Sequence, residues 1–186
     1  EHFVVDVYQA GAGTSHNMNT NEVLANRGIE ILGGKKGDYK LINPNDDVNM
    51  AQSTNHTFPT AMRIASLIMV KRLLPVIEHF RRTLEKKAKE FNKVIKSGRT
   101  HLQDASPITL GQEFEGYAEI VNKHYTLIES AQKHLAELGI GGTAVGTGLN
   151  THVKYRTLMA KNLSKVTGLK LTPSRSYFEA MQSMQP

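Results

Sequence analysis

Apolar residues recur in steps of three and four over most of the chain, a spacing that predicts a mainly helical protein. The first such helix runs from Asn17 to Leu32 and is stopped by Gly33-Gly34. A polar stretch through Gly37 and Asn43-Pro44-Asn45-Asp46-Asp47 follows, and then Pro59 sits well in the first turn of a second helix. Ile64, Leu67, Ile68 and Leu74 give that helix its stripe; Pro75, lacking an amide, should interrupt or kink it. The stripe resumes through Ile77, Phe80, Leu84, Ala88, Phe91 and Ile95. Ser106-Pro107 has the form of an N-cap followed by an N1 proline. The helix it would open is apolar at Leu110, Phe114, Tyr117, Val121, Ile128, Ala131, Leu135 and Leu138, with His124 in the one gap of the heptad. Sustained over about 29 residues, it implies a rod of about 44 Å, a length suited to a bundle shared between subunits. Beyond the glycine-rich Gly139 to Gly148 a shorter helix is expected from Val153 to about Thr167. Pro173 then opens a turn, and Ser176 to Glu179 has capping-box spacing for one more helix. The β-branched run Phe3 to Val7 is the one convincing strand.

Composition narrows the chemistry. The chain has 186 residues, 23 Lys+Arg against 17 Asp+Glu, eight His and no Cys or Trp. Without cysteine there is no disulfide framework, thiol nucleophile or thiolate metal ligand, so hydroxyls, amides, imidazoles and carboxylates remain. The longest apolar run, near Leu67 to Val70, is far too short to cross a bilayer, and a cytoplasmic location with no membrane partner is expected. The surplus of +6 is strewn through helical segments such as Arg81 to Lys96 without interleaved aromatics, which argues for a solvated helix face and against nucleic acid. With no Met at position 1 and Pro186 inside an amphipathic segment, the chain reads as a piece of a longer protein.

Two phosphate-binding patterns are incomplete. Gly11-Ala12-Gly13 has His16 where a dinucleotide fingerprint needs its third glycine, and no second strand follows. Gly33-Gly34-Lys35-Lys36-Gly37 lacks the Gly-Lys-Ser/Thr ending of a P-loop. His79, His124 and His134 have no i, i+4 histidine partner, so neither a metal nor another cofactor is expected. More informative are three polar segments set between helices: Gly13 to Glu22; Asn43 to Asn49 with Gln52 to Asn55; and Gly98 to Asp104. Their short hydroxyl and amide donors, next to helix ends, suit a pocket that holds carboxylates with neutral groups. The Gly139 to Gly148 loop fits either an anion-binding nest or a helix C-cap with a tight turn.

These segments carry a family resemblance. Gly13-Thr14-Ser15-His16-Asn17-Met18-Asn19-Thr20-Asn21-Glu22-Val23-Leu24-Ala25-Asn26, the Asn43 to Asn49 and Gln52 to Asn55 runs, Gly98-Arg99-Thr100-His101-Leu102-Gln103-Asp104-Ala105 and Gly142 to Asn150 resemble the aspartase/fumarase superfamily, in order and over nearly the whole chain. The resemblance implies a long-helix bundle with a small, partly truncated N-terminal domain. Residues 1–50 would be the remainder of that domain and 51–186 the first part of the central helical one. It also implies a homotetrameric lyase acting on a C4 dicarboxylate, each site gathering loops from three subunits. Thr14, Ser53, Thr54 and Asn55 would grip substrate carboxylates, with Asn43, Asn45 and Asp46 in the neighbouring substrate-binding run. Thr100 would position the substrate, and His101 would polarise it or orient its carboxylate. The family's base-bearing Gly-Ser-Ser loop has no counterpart here, so the chain alone is expected to be inactive. His56 stands where the family usually has Asp, exchanging an acceptor-only carboxylate for a group that can donate.

Within the superfamily, Asn43 and the Ser53-Thr54-Asn55 pattern lean toward an aspartase, which releases ammonia from L-aspartate to give fumarate. A class II fumarase, which interconverts L-malate with fumarate and water, is the alternative. A non-catalytic helical oligomer is the third reading.

Overall fold

The computed structural model of the chain describes residues 2–9 and 12–184. They fall into two compact units, Glu1–Ala65 with Leu135–Pro186, and Ser66–His134. Both are mainly helical, as the periodicity predicts, and no helix of the described residues is long and apolar enough to cross a membrane.

In the first unit, α1 (Thr14–Ile31) starts three residues earlier than its apolar stripe suggests. Gly13 makes that start possible. Its φ of +88° is left-handed, and a Cβ there would lie 2.4 Å from Phe58 Cγ, so α1 begins directly against the first turns of α2 (Thr54–Glu90). Ala25 and Ile29 supply the buried face of α1. The Asn43–Asn49 run closes into a single π-helical turn, Pro44–Val48. α4 (Tyr155–Thr167) stops at left-handed Gly168, and α5 (Tyr177–Ala180) is capped by Ser176, whose hydroxyl accepts from the Glu179 amide as the capping-box spacing predicts. Leu138, Ile140, Ala160, Leu171 and Ala180 form the core around these short elements.

The second unit contains the rest of α2, a hairpin of β1 (Ile95–Thr100) and β2 (Gln103–Thr109), and α3 (Leu110–Leu135). α3 packs its first turn on the end of α2: the Gly111 amide donates to Phe91 O, and a Cβ on Gly111 would lie 2.4 Å from Ala88 O. Beside that contact the Phe91 ring meets Phe114 at a tilt, and Phe114 meets Tyr117 edge to face.

Several sequence expectations are corrected. Phe3 to Val7 forms no strand: among the described residues no segment makes a ladder with it, the Val4 amide donates instead to Asn19 Oδ1 (3.1 Å), and Phe3, Val4 and Val7 stay exposed. Of the glycine pair following it, Gly11 lies outside the described residues. Ser106-Pro107 does not cap a helix but lies in β2. The true cap is Thr109, whose hydroxyl accepts from the Gln112 amide (3.1 Å) while the Gln112 side chain accepts from the Thr109 amide (2.9 Å), a reciprocal capping box. α2 starts at Thr54 and continues unbroken past Pro75 to Glu90, so Pro59 is not in its first turn. α3 ends at Leu135, because Glu137–Leu138 become β3, paired in parallel with β4 (Thr172–Pro173). Pro173 therefore sits in a short strand.

Candidate functional site

The first unit brings two of the three polar segments together through side-chain hydrogen bonds. Asn49 Oδ1 accepts from Asn17 Nδ2 (3.1 Å) and Asn21 Nδ2 (2.9 Å), and Thr57 Oγ1 donates to Asn17 Oδ1 (3.0 Å). α1, the π-helical turn and the start of α2 are thus joined by four side chains, with Asn21 buried. His16 also stacks on Phe58, ring centroids 5.7 Å apart. Thr14, the first residue of α1, lies exposed at this junction.

Ser53, Thr54 and Asn55 form the entry to α2. Ser53 Oγ accepts from the Asn55 amide (3.2 Å), and the Asn55 side chain donates to Ala144 O (2.9 Å). That second bond reaches the Gly139 to Gly148 loop, and His56 reinforces it. The imidazole is fully buried; its Nδ1 accepts from the Thr143 amide (2.8 Å) and faces the Gly141 amide (3.3 Å), while the Ser53 amide faces Nε2 (3.3 Å). Burial holds the ring well below its ordinary value, at about 4, so it is neutral at physiological pH. The histidine in the aspartate position thus acts as an acceptor, and the turn keeps its contacts. Arg156 braces the same loop, donating to Gly141 O (3.2 Å) and Gly146 O (3.0 Å) with its guanidinium 3.8 Å from the Tyr177 ring centre. Gly139 to Gly148 is therefore a tight turn tied at several points.

Asn43 is occupied locally. Its Oδ1 accepts from the Asn45 and Asp46 amides (2.8 and 3.1 Å), capping the π-helical turn, and its own amide donates to Asp47. Asn45 donates to Asp46 Oδ1 (3.1 Å), and both are exposed. In the second unit, Thr100 ends β1 and His101 opens the two-residue turn to β2, all exposed at the hairpin tip. A groove of about 850 Å³ in that unit, between α2 and α3, is lined by none of the candidate residues.

Backbone strain marks the same segments. The described non-glycine residues with positive φ are Ala12, Ala51, His101, Leu102, Thr143 and Asn150. Each lies in or beside a motif segment, whereas the helical connections elsewhere need none. Such conformations cost on the order of 1–3 kcal/mol apiece and persist where the surroundings impose them, often at functional sites. The sequence contains no local signal for the Asn17–Asn21–Asn49–Thr57 network, for Arg156 or for Thr143, because all depend on contacts between distant segments. His56 alone announced itself, as a departure from the family pattern.

Known proteins match this chain along nearly its full length. A family profile described as Lyase covers residues 1–185. A class II fumarate hydratase from Ralstonia nicotianae is 52% identical over 97% of the chain, and an aspartate ammonia-lyase from Bacillus subtilis 48% identical over 98%. The chain spans 40% and 38% of those two proteins' lengths. Most of the similar curated relatives carry the fumarate hydratase name. A crystal structure of a fumarate lyase:delta crystallin from Brucella melitensis bound to cobalt superposes with a TM-score of 0.89 at 47% identity, over 96% of this chain and 39% of that one.

Proposed function

Since the chain belongs to the lyase family that holds class II fumarate hydratases and aspartate ammonia-lyases, we propose that it supplies carboxylate-binding loops to an enzyme forming fumarate from a C4 dicarboxylate. The observation that carries this reading is the coincidence of backbone strain with the polar segments at Ala12, Ala51, His101, Leu102, Thr143 and Asn150. Thr14, Ser53, Thr54 and Asn55 bind carboxylate oxygens in this reading, with Asn45 and Asp46 beside them. Two helix starts that meet at Gly13 and Phe58 add their amide dipoles. Removing a proton α to a carboxylate builds charge on that carboxylate. Donors aimed at it stabilise the enediolate-like intermediate more than the substrate, which is the condition for rate enhancement. Thr100 and His101, on the hairpin turn, position the substrate and polarise it.

The leaving group divides two readings. Water is the first, supported by the names most relatives carry. Ammonia is the second, supported by the Ser53-Thr54-Asn55 pattern; Asn43 supports it less than its sequence position suggests, because its side-chain oxygen is spent on capping. The assembly proposed with both is a homotetramer whose bundle covers the apolar face of α3, with residues 1–50 belonging to an N-terminal domain and 51–186 to the central one. A cytoplasmic location, without nucleic-acid or membrane partners, goes with that reading.

The test follows fumarate appearance from L-malate and from L-aspartate with the complete protein. Faster malate turnover selects the fumarase reading, faster aspartate turnover the aspartase, and turnover of neither removes both in favour of another substrate of the superfamily or a structural oligomer. Thr100→Val and His101→Phe are expected to lower kcat/KM by about 100-fold each, as removal of one transition-state donor does.

A further inference from the structure

Three backbone amides converge on His56, whose ring has two nitrogens. Thr143 and Gly141 point at Nδ1 (2.8 and 3.3 Å) and Ser53 at Nε2 (3.3 Å). A neutral imidazole has one in-plane lone pair to offer. The shortest of the three contacts assigns it to Nδ1, which places the ring proton on Nε2; the 3.3 Å approach of the Ser53 amide is then a contact between two donors, and the bonds that hold the ring are those at Nδ1. A second proton would set an N–H at Nδ1 against the amides of Thr143 and Gly141, so the geometry itself opposes charging the ring. Among the described residues no carboxylate bonds to the ring to compensate. Of the elements around it, α2 contributes Ser53, Thr60 and, two turns on, the cation Arg63; α4 contributes the Tyr155 ring (centroids 6.3 Å apart) and the cation Arg156, which bonds the carbonyl of Gly141; α5 contributes Tyr177 under that guanidinium. The Gly139 to Gly148 loop has no ionisable side chain.

What the ring joins is the entry turn of α2 to a loop more than 80 residues away in sequence. We propose that neutral, Nε2-protonated His56 is a positioning residue: it clamps the Ser53–Asn55 turn to the Gly139 to Gly148 loop, and a second proton releases the clamp. The idea deepens the carboxylate-binding reading of that turn and rests on it for its catalytic consequence, though the clamp itself does not. Asn55 shares the clamp through Ala144, so releasing His56 frees the amide side chain that would meet substrate. An aspartate at this position would offer two oxygens with lone pairs enough for all three amides, the same clamp without its acid release in this range.

Two measurements test it separately. In the 186-residue chain, imidazole ¹⁵N shifts should show the Nε2–H tautomer at pH 7. The ring should titrate near 4, and the Gly141 and Thr143 amides, protected from hydrogen exchange at neutral pH, should lose protection with the same midpoint. An Nδ1–H tautomer, a ring titrating near 6.5, or unprotected amides at pH 7 overturns the clamp whatever the enzyme does. In the complete protein, His56→Leu should raise KM about tenfold at pH 7.5, the loss of one hydrogen bond's worth of organisation, with a smaller change in kcat. His56→Asp, or His56→Asn if Asp does not fold, should recover most of that KM. A KM unmoved by His56→Leu, or a loss that neither polar variant recovers, overturns the positioning role. Absence of fumarate turnover in the wild type sinks the carboxylate reading and leaves the clamp to the first measurement.

Discussion

The two units hold their shape by different means. The first is stitched by polar bonds between distant segments: Asn49 to Asn17 and Asn21, His56 to Thr143, Arg156 to Gly141 and Gly146. It also buries a small apolar core, with Ile29 and Leu138 fully enclosed. The second buries little beyond Leu67, Leu84 and Ala118. Met69, Val76, Phe80, Ile120 and Leu127 stay more than half exposed on its helices. A unit whose backbone is satisfied but whose apolar face is open folds fully only when something covers that face, whereas a polar-stitched unit encodes its geometry internally. Loops that must hold donors in fixed directions sit mostly in the first kind of architecture, and helices that assemble sit in the second.

The largest expected effect strikes the second unit. Leu127→Asp puts a charge on the open face of α3 and should reduce the complete protein's mass by light scattering to that of a smaller species, since a buried unpaired charge is not tolerated. An unchanged mass would mean the face is not an interface. Gly111→Ala attacks the same unit from within. The new Cβ would meet the Ala88 carbonyl at 2.4 Å, a backbone atom with nowhere to go, and denaturant unfolding should show a loss of about 2–3 kcal/mol.

In the first unit, acid should do what substitution does in the second. The His56 ring is neutral when folded and charges at about 4, against 6.5 unfolded, so the unfolded chain binds more protons between these values. Its contribution is fully present above pH 6.5 and is lost as pH falls toward 4, on the order of 3 kcal/mol in all. His56→Asp should flatten the pH dependence of unfolding in that window. Asn49→Ala strands the amides of Asn17 and Asn21 and should cost about 1–3 kcal/mol. Smallest of all is Arg82→Ala on α2. Arg81 and Arg82 together hold the Glu78 carboxyl down at about 2, yet Arg82 itself is exposed and Arg81 remains on the carboxylate, and Tm should move by about 2 °C or less.

Helices were legible in the sequence because their stripe is written into each of them: α1, α4 and α5 fall within a few residues of expectation. Strands were not. The hairpin has neither alternation nor an Asn-Gly or Asp-Gly turn, and Ser106-Pro107 imitates a helix start, while the real capping box at Thr109 and Gln112 lies three residues further on. Phe3 to Val7 shows the converse, strand composition with no partner strand among the described residues. At the site, motif residues could be named from the sequence, but their neighbours could not. His56 meets Thr143 only because the chain returns more than 80 residues later, and Asn43 turned out to serve its own turn first.

One consequence of the hairpin concerns the order in which it forms. His101 and Leu102 both hold positive φ, at 48° and 61°, where a two-residue hairpin turn ordinarily has glycine or asparagine. A turn that costs energy makes a poor nucleus. Zippering should therefore begin at the opposite end, where Leu110 N donates to Val94 O and Gly111 is already seated against α2, and run outward to the tip. The exposed end carrying Thr100 and His101 closes last and opens first. In kinetic terms, Leu102→Gly should slow unfolding with little change in the folding rate, as a turn formed after the transition state requires; a faster folding rate would place the turn in the nucleus instead.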